Sequence, residues 1–297
     1  ERGLYSVSFW YDDGFDERQL LDDKAHLKYL QGEAKESLTT KTVGLDRGVA
    51  VPVHAGYKAL DFTKEQKQST TKSQRYIKRL QRRLSKQTKG SKRRNKTKNG
   101  IAKHHAKCAS IRKDFCHKTS HELVNSGFQV FVFEDLKTAS MTKKAKAKQN
   151  QNGKFISNNA AQKSGLNKAI LANGWHLLES YIKYKAKREA KGVFKVNAAY
   201  TSQECANCGH THSANRRSQS EFVCISCEHA DNADRNAARV IVKRAINLIL
   251  DSGTELSKRG VLRLGNGRGS KRKTCKHSEQ AATHETSKKI NQAAKAA

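Results

Sequence analysis

Between positions 66 and 113 the sequence has no acidic residue, and nowhere does it hold an apolar run long enough to span a bilayer. Its first residues, Glu1 to Tyr5, offer neither the basic segment nor the apolar core of a secretory signal. These absences argue against a membrane helix and predict a cytosolic (cytoplasmic) chain. Cysteine is too unevenly placed for a disulfide framework: four of the seven fall in two close pairs, which in such a chain points to metal. Positive charge is what the sequence has in surplus. A formal net charge of +32 with a pI near 10.0 predicts a polyanionic partner, nucleic acid rather than lipid or a small-molecule substrate. At 297 residues the chain can form one or two domains around a real core.

Residues 4–11 alternate apolar and polar as a strand does, either an ordinary edge strand or a sign that the sequence starts inside a larger domain. Residues 11–40 are polar and mixed in charge. Three short strands are expected at 42–46, 49–54 and 57–62, joined at Arg47-Gly48 and Ala55-Gly56 as an antiparallel meander. Side chains alternate along a strand, so Val43 and Leu45 share one face and Asp46 falls on the other. A turn aspartate before Gly48 is the plainer reading of Asp46.

The acid-free stretch carries two helical stripes, Ile77, Leu80, Leu84 and Ile101, Cys108, Ile111, Phe115, with a basic loop at 89–96. A helical hairpin over 66–126 follows, and Arg75, Lys78, Arg79, Arg82, Arg83 and Lys86 line its outer surface as phosphate-binding residues. His104, His105, Cys108, Cys116, His117 and His121 scatter around the second helix, so a second metal site is not expected there. The apolar run 128–133 suits a strand buried on both faces and ends in Glu134 and Asp135, at the strand end where open α/β sheets place ligands. Residues 143–159 read as a mobile low-complexity insertion, Leu171, Trp175, Leu178 and Ile182 as one amphipathic helix, and 193–200 as a further strand.

Cys205 and Cys208 are separated from Cys224 and Cys227 by fifteen residues, the spacing of a structural Zn²⁺ ribbon. Four thiolates leave the ion no open position, so it should hold structure and not perform hydrolysis. After the fourth cysteine, Asp231 to Ala238 opens a helix with Ala237, Ile241, Ala245 and Leu248 on one stripe, and Asp234 sits at its positive end. Two acids at strand ends and one at a helix start are the set a divalent-metal nuclease needs. Asp135 and Asp231 are the rival acids.

The motifs Val43-Gly44-Leu45-Asp46-Arg47-Gly48, Arg79-Leu80-Gln81-Arg82-Arg83-Leu84-Ser85, Phe133-Glu134-Asp135-Leu136, Tyr200-Thr201-Ser202-Gln203-Glu204-Cys205-Ala206-Asn207-Cys208-Gly209-His210 and Asn232-Ala233-Asp234-Arg235-Asn236-Ala237-Ala238 keep a fixed order. Together they resemble TnpB, the OrfB-type transposon-encoded family related to the type V CRISPR effectors. The resemblance runs from about residue 40 to 250. It implies an α/β chain of RNase H-like (RuvC-like) fold, a mixed sheet flanked by helices, with the basic hairpin inserted and a zinc ribbon. It also implies RNA-guided DNA endonuclease activity, guide RNA and target DNA as partners, Asp46, Glu134 and Asp234 as catalytic acids holding Mg²⁺, and the four cysteines as zinc ligands. The expected organisation is 1–40, the remnant of an amino-terminal wedge-type β domain in a truncated sequence; 41–200, the RuvC-like nuclease domain; 201–229, the zinc ribbon; 230–250, the last RuvC-like helix; and 251–297, a disordered basic tail. Asn197-Ala198-Ala199 departs from relatives, which commonly carry a proline there. A truncated or nuclease-inactive nucleic-acid-binding fragment, an RNA-guided repressor, and a transposase that joins DNA ends are the alternatives.

Overall fold

The computed structural model describes residues 22–265. The strand expected at 4–11, and the tail beyond residue 265, lie outside the described residues.

Two helices come first, α1 (Asp23–Gln31), capped by the Asp22 side chain, and α2 (Lys35–Lys41). This corrects the expected β remnant over the described part of 1–40. Leu27, Leu30 and Leu38 are buried, and each drives its short helix onto the core. The chain then enters β1 (Thr42–Leu45) and the hairpin of β2 (Val53–His54) with β3 (Ala59–Leu60). The meander is shorter than expected: 49–52 is a bend, and the hairpin meets β1 through one antiparallel bridge, Asp46 to His54.

Helix α3 (Lys64–Ser85) starts at a capping box between Thr63 and Gln66, and α4 (Lys92–Val124) starts at Ser91, which accepts the Arg94 N–H. The loop between them is therefore 86–91, tighter than the basic run suggested. After β4 (Val130–Glu134), buried throughout, and the single turn α5 (Thr138–Met141), residues 143–159 hold an exposed hairpin, β5 (Lys148–Gln149) with β6 (Phe155–Ile156). The helix expected through Leu171 is two helices, α6 (Ala160–Asn173) and α7 (Trp175–Arg188). Gly174, at φ +71°, breaks the run, so Trp175, Leu178 and Ile182 are buried while Leu171 is exposed. β7 (Gly192–Val196) ends sooner than the expected strand, and a cysteine-rich segment with β8 (Glu221–Val223) and β9 (Ala230–Asn232) leads into α8 (Ala233–Leu250). The disordered tail is corrected for 251–265: β10 (Thr254–Leu256) and β11 (Leu262–Leu264) form a hairpin whose Leu256 and Leu262 pack into the core.

The central sheet runs β1-β4-β7, all parallel, and strand alternation divides its residues between two cores. Val43, Leu45, Phe131 and Phe133 face α4 and α7, where Phe115, Leu123, Leu178 and Ile182 pack. Val130, Val132, Phe194 and Val196 face α8, α1 and α2, meeting Ile241, Ala245 and Ile249. Gly44 lies on this second face. A Cβ built there would overlap the Ala238 carbonyl oxygen and come within 3.1 Å of Val242 Cγ2, so α8 rests directly on the β1 backbone. Among the described residues, no helix is long and apolar enough to cross a membrane.

Gly44→Ala must push α8 off the sheet, and overpacking of this kind costs about 1–3 kcal/mol. Thermal melts should show a clearly lower Tm for Gly44→Ala, whereas Gly90→Ala, which meets nothing in space at φ +84°, should cost less.

Candidate metal and nuclease site

Strand parity and register bring the acids together. Leu45 pairs with Phe133 in the parallel ladder, so Asp46 and Glu134 are the next positions on adjacent strands, whose backbones run about 4.8 Å apart. Asp46 continues the parity of Gly44, and Glu134 that of Val130 and Val132, so both belong to the α8 face. Asp234 lies one turn before Ala238, the residue pressed against Gly44, and therefore comes to the same end of the sheet. Asn232 caps α8, its side-chain oxygen accepting the N–H groups of Asp234 and Arg235 at 3.0 and 3.2 Å.

Electrostatics agree with this placement. Burial first, and then the nearby charges of Glu134 and Asp234, push the Asp46 carboxyl up to about 8 against the pull of Arg216 and Arg47. Burial also raises Glu134, opposed by a hydrogen bond that the buried Thr201 hydroxyl donates to its Oε1. Arg216 Nη2 stands 3.7 Å from Asp234 Oδ1. The rival acids are engaged elsewhere. Asp231 is buried and ion-paired with Arg235 and Arg239, and Asp135 pairs with Arg259 at 2.9 Å.

Several residues at this site had no role in the sequence reading. Arg47 is buried, donates to the Glu134 carbonyl and reaches Glu179 Oε2 at 3.1 Å. Glu179 also holds Lys195 at 2.6 Å, so a charged network on the opposite face fixes the strand ends bearing the acids. Thr201 and Arg216 come from distant segments; Thr201 falls in the Tyr200–His210 motif, where nothing marks its role, and no local pattern marks Arg216.

The cysteines form a second centre. The four Sγ atoms lie within 4.8 Å of one another, with Cys205 to Cys227 at 3.7 Å and Cys208 to Cys224 at 3.6 Å. A tetrahedron of about 2.3 Å metal–sulfur bonds has edges of about 3.8 Å, so the donor set fits one thiophilic ion. Both Cys-x-x-Cys turns repeat one geometry. Cys205 N donates to His210 O and Cys224 N to His229 O, and the fifth residue of each turn, Gly209 or Glu228, takes positive φ. Hydrogen bonding from the His229 backbone, foremost, lowers the Cys227 thiol to about 6, while burial pushes Cys205 up to about 12. Asn215 ties the two turns, accepting from Ile225 N and donating to Gln203 and His210 carbonyls. Asn236 of α8 accepts from Ala206 N and donates to Glu204 O, which locks the cysteine module to the helix that carries Asp234.

Arg75, Lys78, Arg79, Arg82 and Arg83 of α3, with Lys86 at its C-cap, are all exposed and repeat at three- and four-residue spacing, one straight ridge about 16 Å long. None is ion-paired among the described residues, and Arg79 lies over the Tyr76 ring at 4.7 Å. Lys78 also lines a cleft of about 1080 Å³ between α3, α4 and α6. Histidines of α4 enter ring packing: His104 stacks on Tyr76 and His117 lies against Tyr181.

In the metal-free chain, folded Asp46 keeps its proton up to about pH 8 against 3.8 for the free group, so unfolding releases a proton between those values. Stability therefore falls as pH rises through that window. In EDTA, Asp46→Asn should melt higher than the parent above about pH 8 and level with it near pH 4; a pH-independent difference would show that the carboxyl is not held protonated.

Comparison with known proteins gives a consistent result. Residues 26–145 match the family OrfB_IS605, described as "Probable transposase", and residues 175–241 match the Cas12f1-like TNB domain. InsQ of Escherichia coli (strain K12), provisionally named an RNA-guided DNA endonuclease, is 40% identical over 201 residues, 67% of this chain and 48% of its own length. The CRISPR-associated endodeoxyribonuclease Cas12f1 of Sulfoacidibacillus thermotolerans is 42% identical over 73 residues, 25% of this chain and 17% of that one. A solved CRISPR-Cas12f ternary complex aligns with TM-score 0.46 and 19% identity, over 67% of this chain and 38% of that chain. The chain thus spans about half the length of InsQ. With both matched regions in place and the TnpB motifs in order between residues 43 and 238, the chain belongs to the OrfB/TnpB family of transposon-encoded proteins.

Proposed function

We propose that this chain is the nuclease portion of an RNA-guided DNA endonuclease encoded by a transposon, hydrolysing phosphodiester bonds at Asp46, Glu134 and Asp234. The observation that carries the proposal is the placement of these three acids, from two parallel strand ends and one helix start, at one end of one sheet face. The antiparallel hairpin beside β1, the parallel β1-β4-β7 order and the acid-bearing helix across the face support an RNase H-like (RuvC-like) reading of the fold. Three clustered carboxylates are hard oxygen donors suited to Mg²⁺. Mg²⁺ held there supplies Lewis-acid stabilisation to the attacking and leaving oxygens of the scissile phosphodiester.

The residues of the chain itself orient and hold. Thr201 fixes Oε1 of Glu134 by donating a hydrogen bond to it. Arg216 beside Asp234 offers a cation to an arriving phosphate. Asp234 is preferred over Asp231, and Glu134 over Asp135, because the rivals are held in closer pairs, Asp231 by both Arg235 and Arg239 and Asp135 by Arg259 at 2.9 Å, than the 3.7 Å contact of Asp234 with Arg216. Zn²⁺ suits the four-cysteine centre and would act structurally, holding Asn236 and so the start of α8. Guide RNA pairing would select the DNA sequence, while the α3 ridge binds backbone phosphates without reading bases.

Asp234→Ala should lower Mg²⁺-dependent cleavage of guide-matched DNA by at least about 100-fold while RNA affinity stays near that of the parent. Binding with no cutting by the parent chain at any metal concentration would instead favour the binding-fragment alternative. Purified protein should release a single zinc per chain on denaturation, and Cys224→Ser should lose it. Arg79→Ala with Arg82→Ala should flatten the dependence of log affinity on log salt by about 1 for each phosphate contact removed.

A further inference from the structure

A second basic surface lies away from the α3 ridge, in a cleft of about 420 Å³ beside the outer edge of β7. One wall is the face of α7 that carries Lys183, Tyr184 and Lys187 at three- and four-residue spacing; Lys191, just before β7, lines the end of the wall with its ammonium donating to the Val124 carbonyl. The other wall is the turn between β10 and β11, which supplies Lys258 and Arg259. Val193 and Gly260 form the floor, where Lys195 N donates to Gly260 O at 2.7 Å and fixes the turn against the sheet edge.

Charge in this cleft is unbalanced. Lys183 is taken by Glu179 at 3.1 Å and Arg259 by Asp135 at 2.9 Å. Lys187, Lys191 and Lys258 have no acidic partner among the described residues, and the single acid of the lining, Asp23, faces His26. Tyr184 is 45% exposed at the rim, with one edge against Tyr181 and the Lys185 ammonium 6.0 Å from its ring centre. A positively charged groove with an accessible aromatic ring is the combination that holds a single-stranded polynucleotide, the lysines taking phosphates and the ring taking a base. Arg259 ties this groove to the acid cluster, because its partner Asp135 directly follows Glu134.

We propose that the cleft between α7 and the β10–β11 turn is a second polynucleotide site, which seats one unpaired strand of RNA or DNA beside the nuclease centre and independently of the α3 ridge. It rests on the nucleic-acid reading above, and the test separates the two. Fluorescence anisotropy of the full chain with a labelled single-stranded 15-mer, as RNA and as DNA of the same sequence, reads the affinity. Lys187→Glu with Lys258→Glu should weaken binding about tenfold. Tyr184→Ala should weaken it about threefold or more with an unchanged salt dependence, while Tyr184→Phe binds as the parent. Arg79→Glu with Arg82→Glu should add its own loss to that of the cleft variant, as independent sites do.

Loss confined to the RNA arm supports the cleft as a guide-strand site, loss confined to the DNA arm supports it as a DNA-strand site, and equal loss supports backbone recognition. Cleft variants that bind within twofold of the parent, while the ridge variant is impaired, overturn the cleft and leave the nucleic-acid reading standing. If neither set changes affinity, both fail. A 4-thiouridine 15-mer crosslinked to the parent should place the adduct on the peptide containing Tyr184, a readout that does not depend on any variant folding.

Discussion

The close approach of α8 to β1 is the constraint on which the rest depends. A helix backbone can lie on a strand backbone only where the strand offers no side chain, and Gly44 provides that gap under Ala238. One turn along the helix and two residues along the strand, the same contact brings Asp234 and Asp46 to one end of the sheet. Asn236, between Asp234 and Ala238, then fastens the cysteine module to the helix through Ala206 and Glu204. A single missing Cβ thereby sets the spacing between the acids and anchors the four-thiol centre to them.

Clustered carboxylates repel, and the structure holds them in place with groups that do not neutralise them fully. Thr201 binds one oxygen of Glu134, Arg47 fixes its backbone from the far face, and Arg216 stands beside Asp234 at a longer ion-pair distance. Burial, and after it the residual repulsion, appear as the raised Asp46 carboxyl. A cation arriving at such a buried cluster would displace the Asp46 proton and offset both costs. Outside it the surface is cationic: the α3 ridge presents lysines and arginines, and the cleft beside β7 presents Lys187 and Lys258, without acidic partners among the described residues. Acid at the centre and base around it suit a substrate whose backbone is anionic and whose scissile phosphate must be approached by a divalent ion.

Much of this was legible in the sequence where the signal is local. Alternation placed Asp46 opposite Val43 and Leu45, the apolar run 128–133 announced a strand buried on both sides, and the cysteine spacing announced four converging thiols. What was not legible depends on contacts between distant segments. Leu27, Leu30 and Leu38 sit in short polar helices whose burial is decided by α8, over two hundred residues later in the chain. Residues 254–264 look like tail because strands of three residues leave no readable period, yet Leu256 and Leu262 complete the core beneath α8. Gly174 divided an apparent helix because it takes a left-handed φ of +71°, with Arg112 and Cys116 close enough to exclude a Cβ, and the apolar stripe around it shows neither. Thr201 was visible only as a member of the Tyr200–His210 motif, with no role attached, and Arg216 gave no signal, since a residue that touches an acid from another segment has no spacing to betray it.

Crystals soaked in Mn²⁺ and measured at its absorption edge test the central claim most directly. Two anomalous peaks about 4 Å apart, within bonding distance of the carboxylates of Asp46, Glu134 and Asp234, are the expected result. Well-ordered carboxylates with no peak between them at saturating Mn²⁺, or a peak that selects Asp135 or Asp231 instead, would contradict it.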